Sequence, residues 1–251
     1  MRRRTAILLA LVAAAAIAVS LGPPIPQSPA YHAFADDRAL GGVANALNVL
    51  SNAPFVLVGL WGLAACRRRS DERGMYAVFF AGITLTGLGS GWYHLAPDHE
   101  RLVWDRLPMT VGFMALLAAT LGERVSLAWA RRLLVPLLLV GVASVLWWIH
   151  GERAGRGDLR PYILVQFLSL IVIAGLLAMY PRKYSHARLQ WYGLGAYALA
   201  KLCESYDRPI FAATGGLVSG HTLKHLVAAA GLACLAHMLA VRTRERPDAQ
   251  A

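Results

Sequence analysis

The chain has 251 residues, 57% of them hydrophobic, and a mean hydropathy of +0.48. These values exclude an ordinary soluble domain and place the chain in the membrane class. The formal net charge of +11 does not require nucleic acid, because basic residues in a membrane protein mark its cytoplasmic loops.

Eight apolar segments approach the roughly 20 residues that cross a bilayer. They cover about 5–22, 43–66, 75–95, 105–122, 133–150, 160–180, 189–205 and 219–241. The first follows MRRR and reads as an uncleaved anchor; its small residues near Ser20 also fit a signal peptide. PPIPQSP after it reads as a linker. Cys66, Cys203 and Cys234 lie in or beside apolar segments without metal-type spacing, so they read as free thiols. The expected fold is therefore an all-α membrane protein, seven transmembrane helices plus one N-terminal hydrophobic helix.

Loop charge sets the orientation. With the N-terminus inside, the inside loops hold 16 Lys and Arg and the outside holds 7, a clear positive-inside asymmetry. Alternating segments then gather Ser90, His94, Asp105, His221 and His225 at the outer ends of three segments. The localisation that follows is a multi-pass membrane protein with its site near the outer leaflet; the resemblance given below makes that membrane a bacterial inner membrane and that leaflet the periplasmic one.

Ionisable groups inside apolar segments are costly and mark functional sites. His221 and His225 share one helix face at i and i+4, as do Ser90 and His94. Gly87, Gly89 and Gly91 beside them would admit another helix closely. Asp105 follows His94 by eleven residues, within reach of a tight helix–loop–helix. Three imidazoles from two helices suit a zinc ion with a fourth position open to water, whose pKa zinc lowers to about 7. Asp105 is then the general base and acid, and Ser90 the hydrogen-bond donor to a developing oxyanion. A redox metal stays open on ligand type alone. Lys201 and Glu204 read as an ion pair one turn apart, Lys224 as a snorkelling lysine, and His99 and His150 as solvated. His237 reads as a residue that hydrogen-bonds between helices.

NVLSN (48–52), GSGWYH (89–94), DRLPM (105–109) and HTLKH (221–225) together resemble the alkaline ceramidase family, in particular its bacterial members. That family sits in a wider group of seven-helix membrane hydrolases that includes the adiponectin-type receptors. The resemblance implies hydrolysis of a ceramide amide to a sphingoid base and a fatty acid. It also implies zinc on His94, His221 and His225, with Asp105 activating water and Ser90 beside the reacting oxygen. An N-acyl amino lipid is the alternative substrate. The domains that follow are 1–30 (anchor helix and linker), 31–241 (ceramidase-like core) and 242–251 (basic cytoplasmic tail). Asp36, Asp37 and Asn45 stand where eukaryotic members carry a calcium site. The tryptophan of that pattern is missing and an asparagine replaces a carboxylate, so calcium is doubtful. The partner is a membrane lipid, with no nucleic acid and no protein partner. The competing functions are a non-enzymatic receptor or sensor with structural zinc, and a transporter or proton relay through Lys201 and Glu204.

Overall fold

The computed structural model describes residues 2–67 and 71–245. Arg68, Arg69, Arg246 and most of the expected cytoplasmic tail lie outside the described residues.

The chain is a helix bundle. Its helices are α1 (Arg2–Leu21), α2 (Ala46–Leu50), α3 (Ala53–Ala65), α4 (Arg73–Leu95), α5 (His99–Arg124), α6 (Leu127–Arg153), α7 (Arg160–Ile163), α8 (Ser169–Met179), α9 (Arg188–Ser205), α10 (Asp207–Ala213) and α11 (Gly220–Val241). A π turn over Leu164–Leu168 joins α7 to α8. Among the described residues, seven stretches are long and apolar enough to cross a membrane: Arg3–Leu21, Ala46–Ala65, Arg73–Leu95, His99–Arg124, Leu127–Arg153, Arg160–Met179 and Gly220–Val241. The expected segment at 189–205 is the helix α9, but Arg188, Gln190, Lys201 and Glu204 make it less apolar than these seven. It belongs to the bundle all the same, packed along α11. Large apolar side chains such as Leu57, Leu60, Trp61, Leu139 and Trp147 are exposed around the bundle. A water-facing surface avoids such a belt, and a lipid-facing one requires it.

The core is inward-facing. Phe55, Tyr76, Phe79, Phe80, Ile83, Ala115, Ala118, Leu235 and Met238 knit α3, α4, α5 and α11 together. Small residues set the closest approaches. A Cβ built on Gly89 would stand 1.9 Å from the Trp104 carbonyl oxygen, and one on Gly87 2.9 Å from the Val56 nitrogen. Gly91 meets nothing within 4 Å, so the glycine run brings helices together at two positions, not three.

Two local choices in the sequence shape the site end of the bundle. Pro54 sits in the first turn of α3, where it cannot donate to a preceding turn. The second expected segment therefore breaks at Ser51–Asn52, which turns buried Asn48 and Ser51 toward α11. Asp98 caps α5 by accepting from the Arg101 N–H at 2.7 Å, so α5 starts at His99 and carries Asp105 in its second turn. Only Ala96–Asp98 separate α4 from α5.

Residues 22–45 do not hang free as a linker. They run over the site end as a strap. The Leu159 N–H donates to the Ile25 carbonyl at 2.8 Å, and the Gln27 N–H donates to the Glu152 carboxylate at 2.7 Å. Ala35 N–H donates to Asp207 at 2.8 Å. The far end is closed by buried charge. Glu123 accepts from Tyr76 and Gln190, each at 2.9 Å, and pairs with Arg242. Glu72 accepts from Tyr184 at 2.9 Å and Lys183 at 3.0 Å.

Candidate active site

His94 ends α4, while His221 and His225 occupy the first two turns of α11. All three are buried. One ring nitrogen from each lies within 4.8 Å of the other two, the one His/Cys/Asp/Glu cluster of this kind among the described residues. The Nε2 atoms of His94 and His221 face each other at 3.3 Å. Two nitrogens bound to zinc at ~2.0–2.1 Å with tetrahedral angles stand about 3.3–3.4 Å apart. The donor set and its spacing therefore fit a zinc ion.

Neighbouring groups orient the rings. The Ser51 hydroxyl donates to the Asn48 carbonyl at 3.0 Å and lies 2.7 Å from His225 Nδ1. With its proton committed, the Ser51 oxygen accepts from Nδ1–H, which leaves the His225 Nε2 lone pair free. The Asn45 amide donates to the His94 carbonyl at 2.9 Å. Asp207 accepts from the His221 N–H at 2.7 Å, fixing the start of α11. Phe34 of the strap lies on His94 and His221, with ring centroids 4.7 and 4.4 Å apart. The strap thus covers the imidazoles from the site end of the bundle.

Asp105 is buried, and Ser90 lies close to it on the same cavity wall. The Gly89–Trp104 contact sets that meeting, because it presses α4 onto α5 at the residues adjoining both groups. Ser90, Asp105 and His225 share the wall of one cavity of about 330 Å³. From Asp105 the cavity follows α5 to Thr120, about four helical turns, between apolar side chains including Phe79, Ile83, Leu116 and Leu235. Gln190 lines its far end. Its volume lies in the range of small-molecule pockets.

Residues 39–250 match the family model described as Ceramidase. The chain belongs to the ceramidase family. No curated protein sequence matches it. The match spans every helix from α2 to α11, so it includes Ser90, His94, Asp105, His221 and His225, while α1 and most of the strap, with Phe34, precede it. A ceramidase acts on an amide of a lipid, and a long apolar cavity ending in polar groups suits such a molecule.

Several expectations need correction. Asp36 gives both oxygens to Arg38, each bond at 2.7 Å, and this pairing holds its carboxyl below the usual carboxylate range. Asn45 turns to His94, and Asp37 is exposed. Lys224 does not snorkel. It donates to Glu204 at 2.9 Å across to α9, where Glu204 also pairs with Lys201 as expected. His99 is not free in solvent: its Nδ1 lies 2.8 Å from His32 Nε2, and His32 Nδ1 lies 2.8 Å from the Tyr93 hydroxyl. Burial depresses the His32 pKa below 6.5. His150 is exposed, and His237 is exposed beside Trp61. Ser51 and Phe34 received no role from the sequence. Ser51 lies in NVLSN, one of the four motifs behind the resemblance, and that was the signal available.

Proposed function

We propose that this ceramidase-family protein is a zinc-dependent intramembrane amidase that hydrolyses ceramide or a related N-acyl lipid. The reaction adds water across the amide, giving a fatty acid and an amine. One observation carries the reading: three buried imidazoles converge, and one of them, His225, lines an apolar cavity whose wall also carries the buried Asp105 carboxylate.

His94, His221 and His225 would hold the metal. Bound there, zinc would polarise the amide carbonyl and lower the pKa of water to about 7. The apolar limb of the cavity holds the acyl chain and fixes the amide at its polar end. Asp105 takes a proton from the attacking water and returns it to the leaving amine. Ser90 donates to the oxygen on which charge develops, and otherwise keeps Asp105 oriented. Ser51 holds His225 in the tautomer that ligation needs. The strap and Phe34 keep bulk water from the imidazoles. By loop charge, the site end faces the outer side of the membrane, with α1 as an anchor preceding the core.

The test is a mass-spectrometric screen of N-acyl lipids for fatty acid released by the purified protein and by Asp105→Asn. The reading requires release by wild type. In Asp105→Asn, turnover should fall by about 10²–10⁴-fold with zinc content retained. A wild type that binds zinc and releases fatty acid from no N-acyl lipid would favour a sensor on the same scaffold.

A further inference from the structure

Three cations line the cavity: Arg106, Lys201 and Lys224. Lys201 and Lys224 share the Glu204 carboxylate. Arg106 is treated differently. It follows Asp105 in α5, is 4% exposed, and forms no ion pair within 4.0 Å among the described residues, although the Asp105 carboxylate is close enough to feel its charge. Its guanidinium is held by three rings instead, 4.2 Å from the Trp148 centroid, 4.7 Å from Tyr162 and 5.5 Å from Tyr31. Nη2 donates to the Gln27 side chain at 2.5 Å, while Nη1 is buried with no hydrogen-bond partner. The nearby Glu152 is spent elsewhere: one of its oxygens accepts from the Gln27 N–H at 2.7 Å and from Trp148 Nε1 at 3.0 Å.

A buried cation outside any direct ion pair is expensive, and a polar atom left unpaired adds to the cost. A charge kept in that state on a cavity wall is poised for an anion that arrives with a ligand. Its position says which part of the ligand. The apolar limb runs from Asp105 toward Thr120 and takes the acyl chain. Arg106 lies at the opposite, strap-covered end with Gln27 and Tyr31, where the amine half of the molecule must sit.

We propose that the substrate is an N-acyl lipid whose amine half carries an oxyanion close to the amide nitrogen, and that Arg106 recognises it. This rests on the hydrolase reading above and names its substrate class. An N-acyl amino acid, with a carboxylate one carbon from the amide nitrogen, has the required chemistry; a sulfonate or phosphate at the same place shares it. A guanidinium matches such groups in charge and shape, and ring stacking fixes its plane in advance. An uncharged headgroup, that of ceramide included, leaves Nη1 unpaired and is penalised accordingly, so of the two substrates named above the related N-acyl lipid is the one selected.

The experiment compares two probes that differ at one group, N-palmitoylserine and N-palmitoylserinol, with N-palmitoyltaurine as the sulfonate arm. Hydrolysis and thermal-shift binding are both measured on wild type, Arg106→Gln and Arg106→Lys in detergent. Wild type should favour the carboxylate over the serinol amide by tenfold or more in kcat/KM and in binding. Arg106→Gln should abolish that ratio, and Arg106→Lys should keep part of it. A residue that merely clamps the strap would lower both substrates alike and leave the ratio unchanged, which would overturn the proposal. So would a wild type that hydrolyses both amides equally. If neither is hydrolysed but the binding preference is present and vanishes in Arg106→Gln, anion recognition stands and the hydrolase reading falls. Should Arg106→Gln fail to fold, the wild-type ratio and its partial retention in Arg106→Lys decide; taurine against serine separates sulfonate from carboxylate preference.

Discussion

Gly89→Ala should disable this protein without touching a catalytic group. The added methyl would lie 1.9 Å from the Trp104 carbonyl oxygen and 2.7 Å from its carbon, both backbone atoms that cannot swing aside. Real Cβ contacts essentially never fall under 3.0 Å, so α4 and α5 must separate by about 1 Å where Ser90 meets Asp105. A misplacement of ~1 Å in a catalytic constellation costs on the order of 10²-fold in rate. Overpacking adds about 1–3 kcal/mol of destabilisation, partly offset by the ~1 kcal/mol that alanine gains over glycine in a helix. Gly91→Ala is the internal control. It sits two residues on in the same helix, meets nothing within 4 Å, and should gain the propensity term alone. Fatty-acid release and thermal denaturation in detergent measure both variants. A Gly89→Ala protein with wild-type turnover, or a Gly91→Ala protein equally impaired, would refute the argument from helix approach.

Ser51→Ala should weaken metal binding by about 10–100-fold, because His225 loses the acceptor at Nδ1; titration with a competing chelator measures it, and unchanged affinity would remove the tautomer argument. Glu123→Gln at the far end should destabilise the fold by about 1.5–3 kcal/mol, since it removes one of the two carboxylates that Arg242 pairs with and leaves only Glu72, 3.7 Å away. Denaturation in a graded detergent mixture reads that loss, and the zinc site, at the other end of the bundle, should keep its affinity. The strap should loosen in acid. The His32 pKa is depressed in the fold, so the unfolded strap binds more protons below 6.5. Stability is therefore full above that value and falls by at most ~1.4 kcal/mol per pH unit below it, until His32 protonates in the folded state as well. Hydrogen exchange of residues 28–36 between pH 7.5 and 5.5 follows this, and His32→Gln should flatten the response.

The helices and the imidazole cluster were legible for the same reason. Runs of about 20 apolar residues can satisfy their backbone in lipid only as helices, and ionisable groups inside them stand out at once. His94, Asp105, His221 and His225 needed only spacing and alternating direction to be grouped. The strap was not legible. Residues 22–45 have no hydrophobic period, and their course depends on Glu152, Leu159 and Asp207, each more than a hundred residues away in the chain. Phe34 and the cage around Arg106 therefore stayed hidden. Lys224 was misjudged because a helical wheel considers one helix at a time, and its partner Glu204 belongs to α9. Gly91 looked like its two neighbours, but only Gly87 and Gly89 face another backbone.

The most direct test is the metal content of the purified protein. Wild type should carry about one zinc per chain, the one ion a single three-histidine site holds, and His221→Ala should lose it while remaining folded by circular dichroism. Zinc absent from the wild type, or retained in full by the variant, would contradict a metal site built from these three imidazoles.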